Sequence, residues 1–240
     1  MRFTRRQAAV GLMGAGLNLN AGEEDAGSLY IPKPHLVEDR KLLHDFMDEF
    51  AFADLVTASP DIRITHIPTL LNRGTGAFGT LEGHVSRQNP QAQAIESGKS
   101  CVVVFHGPHA YISPTWYAKM GTVPTWNFAT VHASGKLRPV TDKKAFHELL
   151  AQLIRKFEDY RNSPYDFAKV PASHVDSLME GIIGFELEID RLEGKFKLGQ
   201  ERSAADRASI LRHLETAKPE QSIHDFTAAF YQLRPPDATP

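Results

Sequence analysis

Ile182-Ile183-Gly184-Phe185-Glu186-Leu187-Glu188-Ile189-Asp190-Arg191-Leu192 is the stretch that decides the fold. Ile183, Phe185, Leu187 and Ile189 alternate with Glu186, Glu188 and Asp190, the period of a strand with one face in a core and one in water. Working outward, Val123 to Ala133 predicts a long strand, continued by Lys136 to Val140 beyond Gly135. Cys101 to Phe105 predicts a fully buried strand, with His109 to Ser113 extended as far as Pro114. Phe78 to Val85 predicts another strand. Phe52 to Thr57, the turn Ser59-Pro60-Asp61 and the alternating Ile62 to Ile67 predict a hairpin. Helical spacing marks Glu38 to Phe50, Asn89 to Ile95, the segment after Thr141-Asp142 carrying Phe146, Leu149, Leu150, Leu153, Ile154 and Phe157, then Ser173 to Glu180 and Ser203 to Glu215. Strands in meander order with helices at the margins, and no regular strand–helix alternation, predict a mainly β fold with helical additions (α+β), a barrel that removes exposed strand edges.

The chain has 240 residues, 42% hydrophobic and 23% charged, enough to bury a core. A net charge of −2 gives no global pull toward nucleic acid. The single cysteine, Cys101, excludes an intrachain disulfide and a cysteine zinc cluster. No apolar run is long enough to span a bilayer. Thr4-Arg5-Arg6-Gln7, the small apolar stretch Ala8 to Leu17 and the following Asn20-Ala21-Gly22 have the make-up of a twin-arginine export signal or of a disordered arm. The expected organisation is a signal-like segment over 1–28, a domain over 29–216 and a tail over 217–240.

The chain holds no GxGxxG, P-loop, GxSxG or HExxH, so four polar clusters carry whatever chemistry is legible. Thr65-His66 ends a strand. Gly83-His84-Val85-Ser86-Arg87-Gln88-Asn89-Pro90 joins a strand end, a cation and a predicted helix start whose free N–H groups favour an anion. It reads either as a phosphate cradle or as a loop in which His84 and Asn89 serve only as caps. Tyr111, Trp116-Tyr117 and Trp126-Asn127-Phe128 offer flat walls for a planar ring ligand, or core and interface packing. Gly194-Lys195-Phe196-Lys197-Leu198-Gly199-Gln200-Glu201-Arg202-Ser203 puts Lys195 and Lys197 on one face, as a phosphate or interface patch or a solvated charge run. His106-Gly107-Pro108-His109 could offer two metal or haem ligands.

Together, Tyr30-Ile31-Pro32, Gly83-His84…Arg87…Asn89-Pro90, Gly107-Pro108-His109-Ala110-Tyr111-Ile112-Ser113-Pro114…Trp116-Tyr117, Val123-Pro124-Thr125-Trp126-Asn127 and Gly194-Lys195-Phe196-Lys197-Leu198…Gln200…Arg202-Ser203 resemble the PaiB family of FMN-binding negative transcriptional regulators. The resemblance runs from about Leu29 to Leu214. It implies a split β-barrel of the flavin-reductase and pyridoxamine-phosphate-oxidase type, FMN as cofactor, and a homodimer with flavin sites at the subunit interface. Cluster chemistry and resemblance together point to Arg87, Lys195 and Lys197 near the phosphate. Thr65, His66, His84 and Asn89 are neighbours, and Trp116 and Trp126 pack the ring or the interface. DNA is a partner only if the regulatory role carries over. The alternative is an FMN-dependent oxidoreductase with a small-molecule redox substrate, and a weaker one is haem binding through His84, His106 or His109. Gly199, Glu201 and Asp54 depart from the family pattern, and Glu201 adds an anion beside the basic patch. An exported protein cannot repress transcription in the cytoplasm, so the signal-like segment (periplasmic) and the family label (cytoplasmic) point to different compartments.

Overall fold

The computed structural model describes residues 27–58, 61–118, 122–160 and 163–216. The signal-like segment, apart from residues 27 and 28, and the tail lie outside these residues. The described residues form two compact units: those within 27–110 and 127–198, and those within 111–126 and 199–216.

In the first unit, β1 (Leu36–Val37) leads into α1 (Arg40–Glu49), then β2 (Phe52–Thr57), β3 (Arg63–Pro68), β4 (Leu70–Asn72), β5 (Thr80–Ser86) and the short α2 (Ala92–Glu96). β6 (Ser100–Ile112), β7 (Thr125–Pro139), α3 (Lys143–Tyr160), α4 (Ala172–Glu180) and β8 (Ile182–Lys197) follow. The strands form one sheet in the order β3-β2-β6-β7-β8-β5-β4, with β1 on the side of β8. β3 and β5 stand far apart in this order yet touch, so the sheet curls into a split barrel. Its inner face carries Leu55, Leu81, Val103, Phe105, Val131, Phe185 and Leu187, all fully buried.

α1 begins where the Asp39 carboxylate accepts the Leu42 N–H at 3.1 Å, and it buries Leu43, Phe46 and Met47 against the sheet. Phe46 packs into the space left by the missing side chain of Gly107 on β6. β7 and β8 run antiparallel over twelve partner pairs, with a bulge at Ser134/Gly135 that absorbs the interruption expected there. A second, smaller core of Phe146, Val175 and Met179 holds α3 and α4 together.

The strand at Cys101–Phe105 needs correcting. Cys101, Val103 and Phe105 are buried, whereas Val102 and Val104 are only partly so. The run is apolar on both faces, but among the described residues no layer covers the face of Val102 and Val104. The helix expected from Asn89 begins at Ala92, because residues 86–91 form turns that use their own backbone groups. β1 and β4 were not expected; at two and three residues they are defined by their partners rather than by periodicity.

In the second unit, α5 (Ala204–Thr216) is capped by the Ser203 side chain. The Asp206 N–H donates to Ser203 Oγ at 3.1 Å, and Ser203 Oγ donates to the Asp206 carboxylate at 2.8 Å. The other Asp206 oxygen accepts the Ala118 N–H at 2.8 Å. Trp116 stacks on His213 with centroids 5.1 Å apart, and the Arg202 guanidinium lies 4.8 Å from the Tyr117 ring centre. Among the described residues no helix is long and apolar enough to cross a membrane.

Candidate functional site

A groove of about 600 Å³ runs between β3 and the loop that joins β5 to α2. Ile62, Arg63, Ile64 and Thr65 form one wall, and Ser86, Gln88, Asn89, Pro90 and Gln91 the other. The loop is held by Gln91, whose side chain reaches back beneath the strands and is 1% exposed. Its Nε2 donates to Leu55 O and Thr57 Oγ1, each at 3.1 Å, and to Arg63 O at 3.2 Å. Its Oε1 accepts from the Thr65 hydroxyl. Asn89 Nδ2 donates to the same hydroxyl at 2.8 Å, and Asn89 Oδ1 accepts the Gln91 N–H at 2.9 Å.

The loop amides are already engaged. Arg87 N–H donates to Gly181 O, Gln88 N–H to Ser86 Oγ, Asn89 N–H to Ser86 O and Ala92 N–H to Asn89 O. Five of the main-chain donors from Arg87 to Ala92 are thus spent within the fold, which leaves the first turn of the five-residue α2 as the remaining main-chain donors. Side chains add donors: Arg63 in the wall, Asn89 and Gln88 beside it, and Arg87 next along the chain. Arg63 lies 3.6 Å from Asp61 and Arg87 3.9 Å from Glu96, both pairs exposed enough to exchange partners readily.

The expected site residues divide. Thr65 and Asn89 meet in the groove, with Arg87 adjacent in the loop. His66 points to the opposite face of β3, where its Nδ1 donates to the Asp54 carboxylate. The second Asp54 oxygen accepts from His106 Nε2 at 3.0 Å. His84, on β5, has a buried Nδ1 with no hydrogen-bond partner among the described residues, and burial holds its pKa below the ordinary histidine value. Lys195 and Lys197 do not line the groove. Lys195 Nζ donates to Tyr30 O at 2.8 Å and lies 5.4 Å from the Tyr30 ring centre and 5.5 Å from that of Phe128. Trp116 and Trp126 belong to the second unit, where Trp126 meets Tyr111 edge-on with centroids 5.9 Å apart. Among the described residues no three histidine, cysteine or acidic side chains form a group that could hold a metal ion.

The sequence reading missed Arg63, Gln88 and Gln91. Gln91 precedes the apolar Ala92, Ala94 and Ile95, and its spacing of four from Ile95 was the available sign that it faces inward. The groove's volume, the Arg63 cation, the amide donors and the apolar walls of Ile62, Ile64 and Pro90 fit a phosphate-bearing planar cofactor.

Residues 29–191 match the family model described as "Putative FMN-binding domain". The chain belongs to the PaiB family. It is 32% identical over 188 residues to "Protease synthase and sporulation protein PAI 2" of Bacillus subtilis, covering 78% of this chain and 89% of that protein. Among solved structures it resembles the FAD and haem binding protein of Mycobacterium smegmatis, with a TM-score of 0.52 and 16% identity over 81% of this chain and 80% of that one. It also resembles the flavocytochrome Anf3 of Azotobacter vinelandii, with a TM-score of 0.52 and 13% identity over 82% and 78% of the two chains. These structural likenesses show the split-barrel fold, and the PaiB family relationship makes FMN the cofactor of this chain.

Proposed function

We propose that this chain is an FMN-binding PaiB-type regulator that holds the cofactor in the groove between β3 and the β5–α2 loop. The observation that carries the proposal is the set of side-chain donors gathered there: Arg63, Asn89 and Gln88 face one space, with Arg87 beside it. Arginine forks suit phosphate oxygens, and the apolar walls suit a flat ring. Bound FMN supplies one- and two-electron redox chemistry. The chain's own groups orient it: Gln91 fixes the loop, and Arg63 and Arg87 neutralise the phosphate.

The second subunit enters this proposal through the outer face of β3, β2 and β6. Phe52 is 67% exposed, Ile62 76% and Ile64 57%, with Val56, Val102 and Val104 beside them. Val56, Ile64 and Val102 stand side by side across the three strands, next to the His66–Asp54–His106 cluster on the same face, a mixed apolar and polar patch of the kind a second copy covers. Ile62 and Ile64 also line the groove, so a partner seated on this face would close the cofactor's open side.

Regulation is carried over from the family and does not rest on a DNA-reading face. The exposed arginines of α5, Arg207 and Arg212, are few and scattered. The test is a flavin absorption spectrum after FMN addition and dialysis, in the full chain and in Arg63→Ala. Retained flavin in the first and loss in the second support the groove; equal retention in both rejects it.

A further inference from the structure

We infer that Gln91 is a positioning residue that fixes the Thr65 hydroxyl as a hydrogen-bond acceptor toward the groove, so that this point selects a donor group of the flavin and not a phosphate oxygen. The inference rests on the groove being the cofactor site.

A buried amide can ordinarily be turned either way, but here the surroundings decide. Gln91 Nε2 faces two main-chain carbonyls, Leu55 O and Arg63 O. Reversing the amide would set its oxygen against both, leaving buried acceptors facing acceptors. Gln91 Oε1 must therefore face Thr65, and the Thr65 hydroxyl must donate to it. Asn89 is fixed by the same logic, because its Oδ1 accepts the Gln91 main-chain N–H. Its Nδ2 then faces Thr65 and donates at 2.8 Å.

A threonine hydroxyl has one proton and two lone pairs. The proton goes to Gln91 and one lone pair to Asn89. What remains for the groove is a lone pair, which repels a phosphate oxygen and accepts an N–H or O–H. An isoalloxazine imide N–H and a ribityl hydroxyl are the flavin groups of that class. Phosphate is left to Arg63 and Arg87.

The test titrates FMN, riboflavin, lumiflavin and inorganic phosphate against the full chain, with flavin fluorescence for the first three and competition with FMN for phosphate. Thr65→Val keeps the shape and removes the hydroxyl. It should weaken FMN and riboflavin about five- to tenfold, the scale of one hydrogen bond, and leave phosphate unchanged. Thr65→Ser should restore wild-type binding. Loss of lumiflavin affinity in Thr65→Val assigns the donor to the ring imide, and unchanged lumiflavin affinity assigns it to the ribityl chain. Gln91→Met frees the Thr65 proton and should shift the ratio of phosphate to riboflavin affinity toward phosphate. If that variant does not fold, the two Thr65 variants decide alone. Equal weakening of phosphate and flavin in Thr65→Val overturns the inference, because the hydroxyl would then be a phosphate donor. So does an unchanged Thr65→Val when Arg63→Ala has lost FMN. If neither variant changes FMN binding, the groove reading fails with it.

Discussion

Phe46 stands so close to Gly107 that a Cβ at position 107 would lie 2.5 Å from its ring Cζ and 3.2 Å from Ala129 O. α1 can sit on β6 only because that strand has no side chain there. Gly107→Ala should therefore push Phe46 from its position and cost about 1–3 kcal/mol, the range for overpacked cores. Chemical denaturation checks this, and a stability equal to wild type would show that α1 can shift without loss.

Asp45 is 8% exposed and bonds to Lys41 Nζ at 2.6 Å and Arg73 Nη1 at 2.7 Å. Burial raises its pKa, but the hydrogen bonds and charges of Lys41 and Arg73 outweigh burial and hold it below the ordinary aspartate value. A carboxyl depressed in the folded state contributes stability that is complete above its unfolded pKa and is lost as pH falls through the folded one. Wild-type stability should thus fall below about pH 4, the aspartate range, and Asp45→Asn should flatten part of that fall. Arg73→Ala should cost about 1–2 kcal/mol at neutral pH. That is less than a fully buried pair, because Arg73 is 39% exposed and Lys41 remains.

Cys101 lies on the inner face of β6, and burial, with the charge of Asp190, pushes its thiol up to about 12. A thiol reagent at pH 8 should leave the native protein unlabelled and modify one cysteine per chain after denaturation. Rapid native labelling would mean that the sheet opens at β6.

The outer face of β2, β3 and β6 gives a prediction about assembly. Ile64→Lys puts a cation into the apolar row of Val56, Ile64 and Val102 and should raise the dimer dissociation constant by at least about tenfold. Sedimentation at several concentrations reads this directly. A wild-type chain that stays monomeric throughout would exclude the second subunit from the proposed site.

Much of the architecture was legible because its signals are local. The Ile183–Ile189 alternation marked β8, and Leu43, Phe46 and Met47 marked α1 by spacing alone. The exposure of Val102 and Val104 was not legible, since an apolar run does not say whether a covering layer exists. The groove was half legible. Thr65, Arg87 and Asn89 advertised themselves as polar residues at strand and loop ends. Gln91 acts from inside, through carbonyls that only folding brings near it. Lys195 reads in the sequence as a phosphate neighbour, and its contact with Tyr30 was not legible, because only the fold returns the N-terminal segment across β8 at that point.

That returning segment is fastened to the sheet by its own side chains and backbone. Ser28 Oγ donates to Glu193 at 2.8 Å and lies 2.9 Å from His132 Nδ1, and a side chain on Gly27 would overlap the Glu193 carboxylate. The family match starts at residue 29, directly after Ser28. Loss of the Ser28 side chain would take a hydroxyl from between the imidazole of β7 and the carboxylate of β8, so one small residue ties two neighbouring strands to the segment that leads into the barrel.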